Sequence, residues 1–182
     1  MRYAVTSFAA LLLAACTAAS PVNQQPPARA LHGVLRDAQQ REVGSVELLE
    51  RGDSTLVRVR VRGLAPGEHG VHIHAQPRCE GPDFSTAGGH FNPEGRQHGT
   101  LNAEGPHAGD LPNIVVRQDS TGDMAHSTAR ISLRPDAPGA FDAARGAVVV
   151  HASRDDMRTD PSGASGARVA CALLGAPTGR RN

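Results

Sequence analysis

Six of the nine histidines lie within residues 67–110, and their spacing suits metal binding. His72 and His74 alternate with the apolar residues Val71 and Ile73. On a strand both imidazoles would leave the same face, because successive side chains point to opposite faces. Neutral imidazoles that project side by side are good ligands for a transition metal. A buried pair with ordinary hydrogen bonds is the alternative for this short pattern alone.

A second group of polar side chains follows in a loop rich in glycine and proline. It contains His90, His98, His107 and Asp110, and it has too little apolar content to hold a shape by packing alone. Three imidazoles and a carboxylate make a closed tetrahedral zinc shell, and zinc would order such a loop. A turn with a solvated carboxylate is the alternative for the last two residues. The concentration of ligand types within about forty residues favours a two-metal site.

Composition limits the classes of partner. The 182 residues fit one domain plus a tail, and the net charge of +1 comes from 19 arginines, no lysine and 18 acidic residues. Charges of both signs are interspersed, which argues against nucleic acid as a partner, since phosphate binding needs a clustered basic surface. The aromatic content of 3%, without tryptophan, also provides no platform for base stacking.

The amino end resembles a targeting segment. Arg2 precedes an apolar run over 4–13 that is too short to span a bilayer. The sequence Leu13-Ala14-Ala15-Cys16 resembles the lipobox of bacterial lipoproteins. We therefore expect a lipoprotein-type signal peptide over 1–15, a lipid on Cys16, and a flexible, proline-rich tether over 16–29. The protein would be exported to the periplasm or cell envelope and would contact the membrane only through the lipid. A plain secretory signal with a coincidental cysteine is the alternative.

Three cysteines are an odd number for an exported chain. If Cys16 carries lipid, Cys79 and Cys171 remain for one disulfide in an oxidising compartment. Such a bridge would close a loop of about ninety residues, for which chain entropy predicts roughly 4 to 5 kcal/mol of stabilisation.

Alternation of apolar and polar residues predicts strands and no long helix. The clearest case is TLVRVRVR over 55–62, with valines on one face and arginines on a solvated face. Turn signals between such segments predict an all-β, eight-stranded Greek-key barrel or sandwich with two long functional loops. The domain would span 30–176 and be followed by a tail over 177–182. The predicted strands cover residues 31–36, 43–49, 55–62, the segment around 71–74, 113–118, 125–133, 147–152 and 168–174.

Five motifs, GEHGVHIH, AGGHFNP, HAGDLPNI, VVVHASRDD and GARVACALL, resemble the copper/zinc superoxide dismutases in their bacterial exported form. The resemblance spans residues 31–174. It implies copper and zinc as cofactors, and superoxide as a small anionic substrate that is dismutated to dioxygen and hydrogen peroxide as copper is alternately reduced and oxidised. The implied copper ligands are His72, His74, His90 and His151. The implied zinc ligands are His90, His98, His107 and Asp110, with His90 bridging the metals.

The resemblance implies two further roles. Arg168 would guide and dock the anion beside copper, and Asp155 would link a copper ligand to a zinc ligand. His69 falls outside the ligand pattern and is expected to hydrogen-bond within the fold. The sequence leaves open whether the protein is a monomer or a homodimer, and which other arginines attract the substrate; the candidates are Arg96, Arg154 and Arg158.

Two other classes of function are alternatives. A copper or zinc buffer would use the same ligands without turnover, but storage gains nothing from a substrate-docking Arg168. A structural β-domain that has lost its metals should also have lost ligands, yet all seven are present. A copper-only relative is disfavoured because His98, His107 and Asp110 are intact.

Overall fold

The computed structural model describes Met1, residues 29–141 and residues 146–176. The expected signal peptide beyond Met1, the lipidation site Cys16, the tether before Arg29 and the tail over 177–182 lie outside these residues. No helix in the described ranges is long and apolar enough to cross a membrane. The described elements are the strands β1 (Ala30–Asp37), β2 (Glu42–Arg51), β3 (Ser54–Arg62), β4 (Gly67–His69), β5 (Val71–His74), β6 (Ile114–Val116), β7 (Thr121–Thr128), β8 (Ala147–His151) and β9 (Arg168–Leu173), and a 3-10 turn over Ser85–Ala87.

The strands form one antiparallel sheet in the order β4-β6-β7-β3-β2-β1-β9-β8-β5. Its two edge strands, β4 and β5, are consecutive in the chain and are separated only by Gly70. The sheet therefore nearly closes on itself, which leaves little unpaired edge. The all-β barrel prediction is confirmed, and the eight expected strands are recovered when β4 and β5 are counted as one bent strand.

Strand β3 shows how the sequence pattern builds the core. Val57, Val59 and Val61 are buried, while the arginines between them are exposed. On the solvent face Arg58 lies 3.3 Å from Glu47 of β2. Exposed pairs of this kind add little stability, about 0 to 1 kcal/mol. The buried valines therefore hold this part of the barrel together, as the alternation predicts.

Strand β8 lacks alternation because both of its faces are buried. Val148 and Val150 belong to the main core, whereas Val149 packs in a smaller cluster with Phe84. The loop that carries Phe84 thus covers the outside of the barrel over β8 and β9. The predicted disulfide between Cys79 and Cys171 is confirmed, and it ties this loop to β9.

The prediction of a strand over 125–133 is wrong in its position. Strand β7 begins at Thr121, and its ladder with β3 ends where Thr128 pairs with Thr55. The backbone N–H of Arg130 then donates to the Thr128 hydroxyl at 3.1 Å, which turns the chain. Ile131 is buried beyond that turn without belonging to a strand. Because Ile131 is apolar and buried, the sequence pattern alone wrongly indicates that the strand continues past Thr128.

Candidate metal centre

The free edge of β5 holds the histidine-rich loop. β5 pairs with β8 on one side, and on the other side its backbone bonds to loop residues. The Ile73 N–H donates to the Gly109 carbonyl at 2.9 Å, and the Phe91 N–H donates to the Ile73 carbonyl at 2.8 Å. A Cβ at Gly109 would collide with the Ile73 carbonyl, so this close approach requires glycine. The contacts place His90 and Asp110 beside the strand that carries the His-x-His pair.

Four imidazoles converge at one point of this edge. Ligand nitrogens of all four lie within 4.8 Å of one another. In each ring one nitrogen is buried without a hydrogen-bond partner among the described residues. These four atoms are Nδ1 of His72 and Nε2 of His74, His90 and His151.

The other ring nitrogens of the strand-borne histidines fix the tautomers. His74 Nδ1 donates to the Gly88 carbonyl at 2.9 Å, and His151 Nδ1 donates to the Gly166 carbonyl at 3.1 Å. A carbonyl oxygen only accepts, so these nitrogens carry the proton and Nε2 keeps a lone pair. Buried lone pairs without partners are unfavourable unless a ligand engages them. This donor set fits copper, which imidazoles bind readily.

Burial keeps the strand-borne imidazoles neutral. It is the largest cause that lowers the pKa of His72 to about 3, of His74 to about 2 and of His151 to about 4. A metal ligand must be deprotonated. These rings therefore need no proton release to bind a metal at neutral pH.

The second group surrounds one carboxylate oxygen. Oδ1 of Asp110 lies 2.9 Å from His90 Nδ1, 3.0 Å from His98 Nδ1 and 3.3 Å from His107 Nδ1. Nδ1 of His90 and Nδ1 of His107 are also 3.3 Å apart. Tetrahedral zinc with bonds of about 2.0 to 2.1 Å has ligand atoms about 3.3 Å from each other. His98 Nδ1 makes no hydrogen bond despite its short distance to Asp110. The four donor atoms therefore fit the corners of a zinc shell.

His72 lies between the two groups and could be assigned to either. A ligand atom of His72 falls within 4.8 Å of donor atoms of His90, His98 and Asp110, and its ring stacks on His90 with centroids 4.0 Å apart. However, its Nε2 donates to Asp155. The remaining nitrogen of His72, Nδ1, is one of the four unpartnered atoms of the first group, whereas His107 Nδ1 lies 3.3 Å from both His90 Nδ1 and Asp110 Oδ1. We therefore place His107 in the second group and His72 in the first.

Asp155 connects the two groups from behind. Its carboxylate is fully buried, accepts from His72 Nε2 at 2.7 Å, and accepts from His98 Nε2 at 3.0 Å. Burial opposes its charge, but the hydrogen bonds from His72 and His98 outweigh it and lower the pKa of Asp155. Burial likewise opposes a charge on His98, yet the nearby carboxylates of Asp110 and Asp155 raise the pKa of His98 to about 9. Two buried carboxylates thus favour a cation between them.

Arg168 lies one carbonyl group away from a candidate copper ligand. Its Nη1 donates to the Phe84 carbonyl at 2.7 Å, and its Nη2 donates to the Gly88 carbonyl at 2.7 Å. The Gly88 oxygen also accepts from His74 Nδ1. Because Arg168 forms no ion pair within 4.0 Å in the described ranges, its positive charge remains available to an anion.

Two supporting residues escaped the sequence interpretation. Asn113 bonds to the backbone of Asp155 in both directions at 2.9 Å. Asp160 accepts from the His98 backbone N–H at 2.6 Å. The motif HAGDLPNI contains Asn113 and could have drawn attention to it, whereas no local pattern points to Asp160. His69 contacts the carbonyl oxygens of His151 and Ala65, which agrees with the structural role expected for it.

Comparison with known proteins agrees with this geometry. Residues 42–174 match the family model described as copper/zinc superoxide dismutase (SODC). Superoxide dismutase (Cu-Zn) 2 of Aquifex aeolicus is 36% identical over 145 residues, which cover 79% of this chain and 85% of that protein. Superoxide dismutase (Cu-Zn) of Caulobacter vibrioides is 36% identical over 144 residues, which cover 78% and 83%. The crystal structure of a SOD-like protein from Bacillus subtilis superposes with a TM-score of 0.75 at 36% identity and covers 79% of this chain and 97% of that one.

The family model covers more than half of the chain, and the relatives exceed 30% identity over most of their length. The chain therefore belongs to the copper/zinc superoxide dismutase family of enzymes. The two groups of imidazoles suit the two metals for which the family is named.

Proposed function

We propose that this protein converts superoxide to dioxygen and hydrogen peroxide at a copper held by His72, His74, His90 and His151. The observation that carries the proposal is the convergence of four buried imidazole nitrogens that lack a hydrogen-bond partner among the described residues, close to Arg168, which shares the Gly88 carbonyl with His74. Zinc would be held by His90, His98, His107 and Asp110. When bound, copper supplies the redox chemistry by taking an electron from one superoxide and giving an electron to a second.

Arg168 would receive the substrate. Superoxide is a small monoanion, and a guanidinium presents rigid N–H donors to such a group. Two neutral backbone carbonyls fix the orientation of Arg168, and no acidic group in the described part of the chain pairs with its charge. The residue can therefore dock the anion without first breaking an ion pair, which lowers the reorganisation needed during the reaction.

His90 is suited to move a proton. Formation of peroxide consumes two protons, so the site needs a group that can hold one near the substrate. Nδ1 of His90 is directed to Asp110, while Nε2 of His90 points to the copper-side group without a partner. We assign to Nε2 the role of holding a proton and passing it to the reduced product.

The second group has a supporting role in this proposal. His98, His107 and Asp110 lie in a loop that backbone bonds join to β5. Their convergence fixes the ring of His90 from its Nδ1 side, and Asp155 fixes the ring of His72 from its Nε2 side. Support of this kind sets the tautomer and the orientation of metal-binding imidazoles.

Metal content and dismutation rate of the purified protein test the proposal, with Arg168→Ala as the variant. We expect one copper and one zinc per chain and rapid turnover. The rate should fall as salt rises, because salt screens the attraction of the anion. The variant should retain both metals and lose about 10-fold or more in kcat/KM. Metals without turnover in the unaltered protein would reject the proposal and favour a metal buffer.

We further propose that the protein is exported and anchored by a lipid on Cys16, with the folded domain over 30–176. The lipobox-like sequence before Cys16 supports this. Export is also consistent with the disulfide between Cys79 and Cys171, since disulfides persist in oxidising compartments. Incorporation of labelled palmitate in a bacterial host, followed by fractionation, tests the anchor. Cys16→Ser should abolish the label and release the protein from membranes; a label that persists in the variant would disprove it.

A further inference from the structure

A carboxylate shares a surface pocket with the arginine that receives the substrate. Asp83 and Arg168 both line this pocket. Asp83 directly precedes Phe84, whose carbonyl accepts from Arg168 Nη1 at 2.7 Å. The two opposite charges are therefore neighbours, although in the described part of the chain they form no ion pair within 4.0 Å.

Ser85 holds the carboxylate of Asp83 in place. Oδ1 of Asp83 accepts from the Ser85 backbone N–H at 3.0 Å and from the Ser85 hydroxyl at 2.9 Å. These hydrogen bonds lower the pKa of Asp83, with a smaller contribution from the charge of Arg168, so the carboxylate is ionised at neutral pH. Nη1 and Nη2 of Arg168 are occupied by carbonyl oxygens. Each charged group is thus held in place by neutral partners. An ion that enters the pocket therefore experiences both the attraction or repulsion of Arg168 and that of Asp83.

We propose that Asp83 is a specificity-determining residue that reduces the preference of the Arg168 pocket for doubly charged over singly charged anions. This inference rests on the proposed function, in which Arg168 docks superoxide. An arginine alone attracts a dianion twice as strongly as a monoanion at the same distance, because Coulomb energy scales with charge. Sulfate-like ions would then occupy the pocket and exclude superoxide. Asp83 repels a dianion twice as strongly and so offsets that preference.

The scaling gives a quantitative signature. If removal of the Asp83 charge increases the affinity for a monoanion by a certain factor, it should increase the affinity for a dianion by the square of that factor. Perchlorate and sulfate are suitable probes, since both are tetrahedral and of similar size but carry one and two charges. At constant ionic strength, which keeps screening equal, Asp83→Asn should tighten perchlorate binding about 2-fold and sulfate binding about 4-fold.

The experiment uses the full chain loaded with copper and zinc. Inhibition of dismutation by each ion gives one set of constants. The broadening of the perchlorate 35Cl resonance by the protein, and its reversal by sulfate, gives a second set that does not depend on turnover. Glu80→Gln is the matched control, because Glu80 is an exposed carboxylate of the same loop that does not line the pocket. We expect it to leave both sets of constants nearly unchanged.

Ser85→Ala provides a test in the opposite direction. Without the hydroxyl, Asp83 can turn towards Arg168 and pair with it, so both anions should bind more weakly. The double variant Asp83→Asn, Ser85→Ala should behave like Asp83→Asn alone. Equal changes for the two anions, or changes no larger than those of Glu80→Gln, would overturn the inference, as would the absence of any 35Cl broadening in the unaltered protein.

The two hypotheses can fail separately. Absence of turnover in the metal-loaded, unaltered protein would reject the proposed function. The 35Cl measurements would still decide on Asp83, because they report anion binding in the pocket without turnover.

Discussion

Asn113 and Asp155 hold each other through a reciprocal pair of hydrogen bonds. Asn113 Nδ2 donates to the Asp155 carbonyl at 2.9 Å, and the Asp155 N–H donates to Asn113 Oδ1 at 2.9 Å. Asn113 stands immediately before β6, so the pair ties the long loop between β8 and β9, which carries Asp155, to the barrel. The carboxylate of the same Asp155 accepts hydrogen bonds from both His72 and His98. We therefore expect the position of this one asparagine to affect both candidate metal sites.

Asn113→Ala should destabilise the protein and loosen both metals. It leaves the backbone N–H and carbonyl of Asp155 without partners, which costs about 1 to 3 kcal/mol for buried groups. Urea unfolding of the metal-free protein measures this loss, and the rate of metal capture by a chelator measures the loosening. Asn102→Ala is the control, because Asn102 also bonds to the loop between β8 and β9, at the Arg158 carbonyl, but through a hydrogen bond that is exposed to solvent. Equal effects of the two variants would show that the reciprocal pair has no special role.

The extent to which the fold could be predicted depends on where its determinants lie. Alternation along β3 specifies which face is buried, because Val57, Val59 and Val61 carry that information locally. The break at Gly70 between β4 and β5 is not local, since it arises because the two halves pair with β6 and β8. The end of β7 likewise depends on where its partner β3 begins, because Thr128 pairs with Thr55. Such boundaries are set by contacts between distant segments.

The candidate site divides in the same way. Histidines and an aspartate at informative spacings could be recognised from residue type alone. The groups that orient them could not, because several are backbone carbonyls, such as that of Gly88, which any residue type would provide. Asp160 is equally hidden, since an acidic residue in a polar loop has no signature until the fold brings it to the His98 backbone.

Replacement of His107 and of His72 should separate the two metals. His107→Ala removes a corner of the zinc shell, and we expect zinc affinity to fall by more than the roughly 10-fold to 100-fold typical of losing an outer contact. His72→Ala should weaken copper far more than zinc. Competition with a chromophoric chelator measures zinc affinity, and metal analysis after dialysis measures copper retention. If His72→Ala lowered zinc affinity as much as His107→Ala, the assignment of His72 to the copper side would be wrong.

Asp160 should support the zinc site through a hydrogen bond rather than through its charge. Its Oδ1 accepts from the His98 N–H at 2.6 Å, whereas it lies 3.7 Å from His107 Nε2, which is too long for a hydrogen bond. Asp160→Asn keeps the acceptor and should release zinc at nearly the original rate. Asp160→Ala loses the acceptor and should release zinc about 10-fold faster. The release rate is followed with a zinc-sensitive dye, and similar acceleration in both variants would instead indicate that the charge matters.

The disulfide should stabilise the barrel and also hold Arg168 in place. Cys79 and Cys171 are 92 residues apart, so their bridge restricts a long loop in the unfolded chain. Replacing both by serine should lower the free energy of unfolding by about 2 to 5 kcal/mol. The same bridge holds the loop whose carbonyls at Phe84 and Gly88 orient Arg168.

The variant should therefore lose kcat/KM even at temperatures where it remains folded, because Arg168 is no longer fixed. Denaturant unfolding and steady-state kinetics at low temperature separate the two effects. Reductant added to the unaltered protein should reproduce both, while the serine variant should not respond to reductant. A variant that is less stable but keeps full kcat/KM would show that the packing of Phe84 against Val149 holds the loop without the bridge.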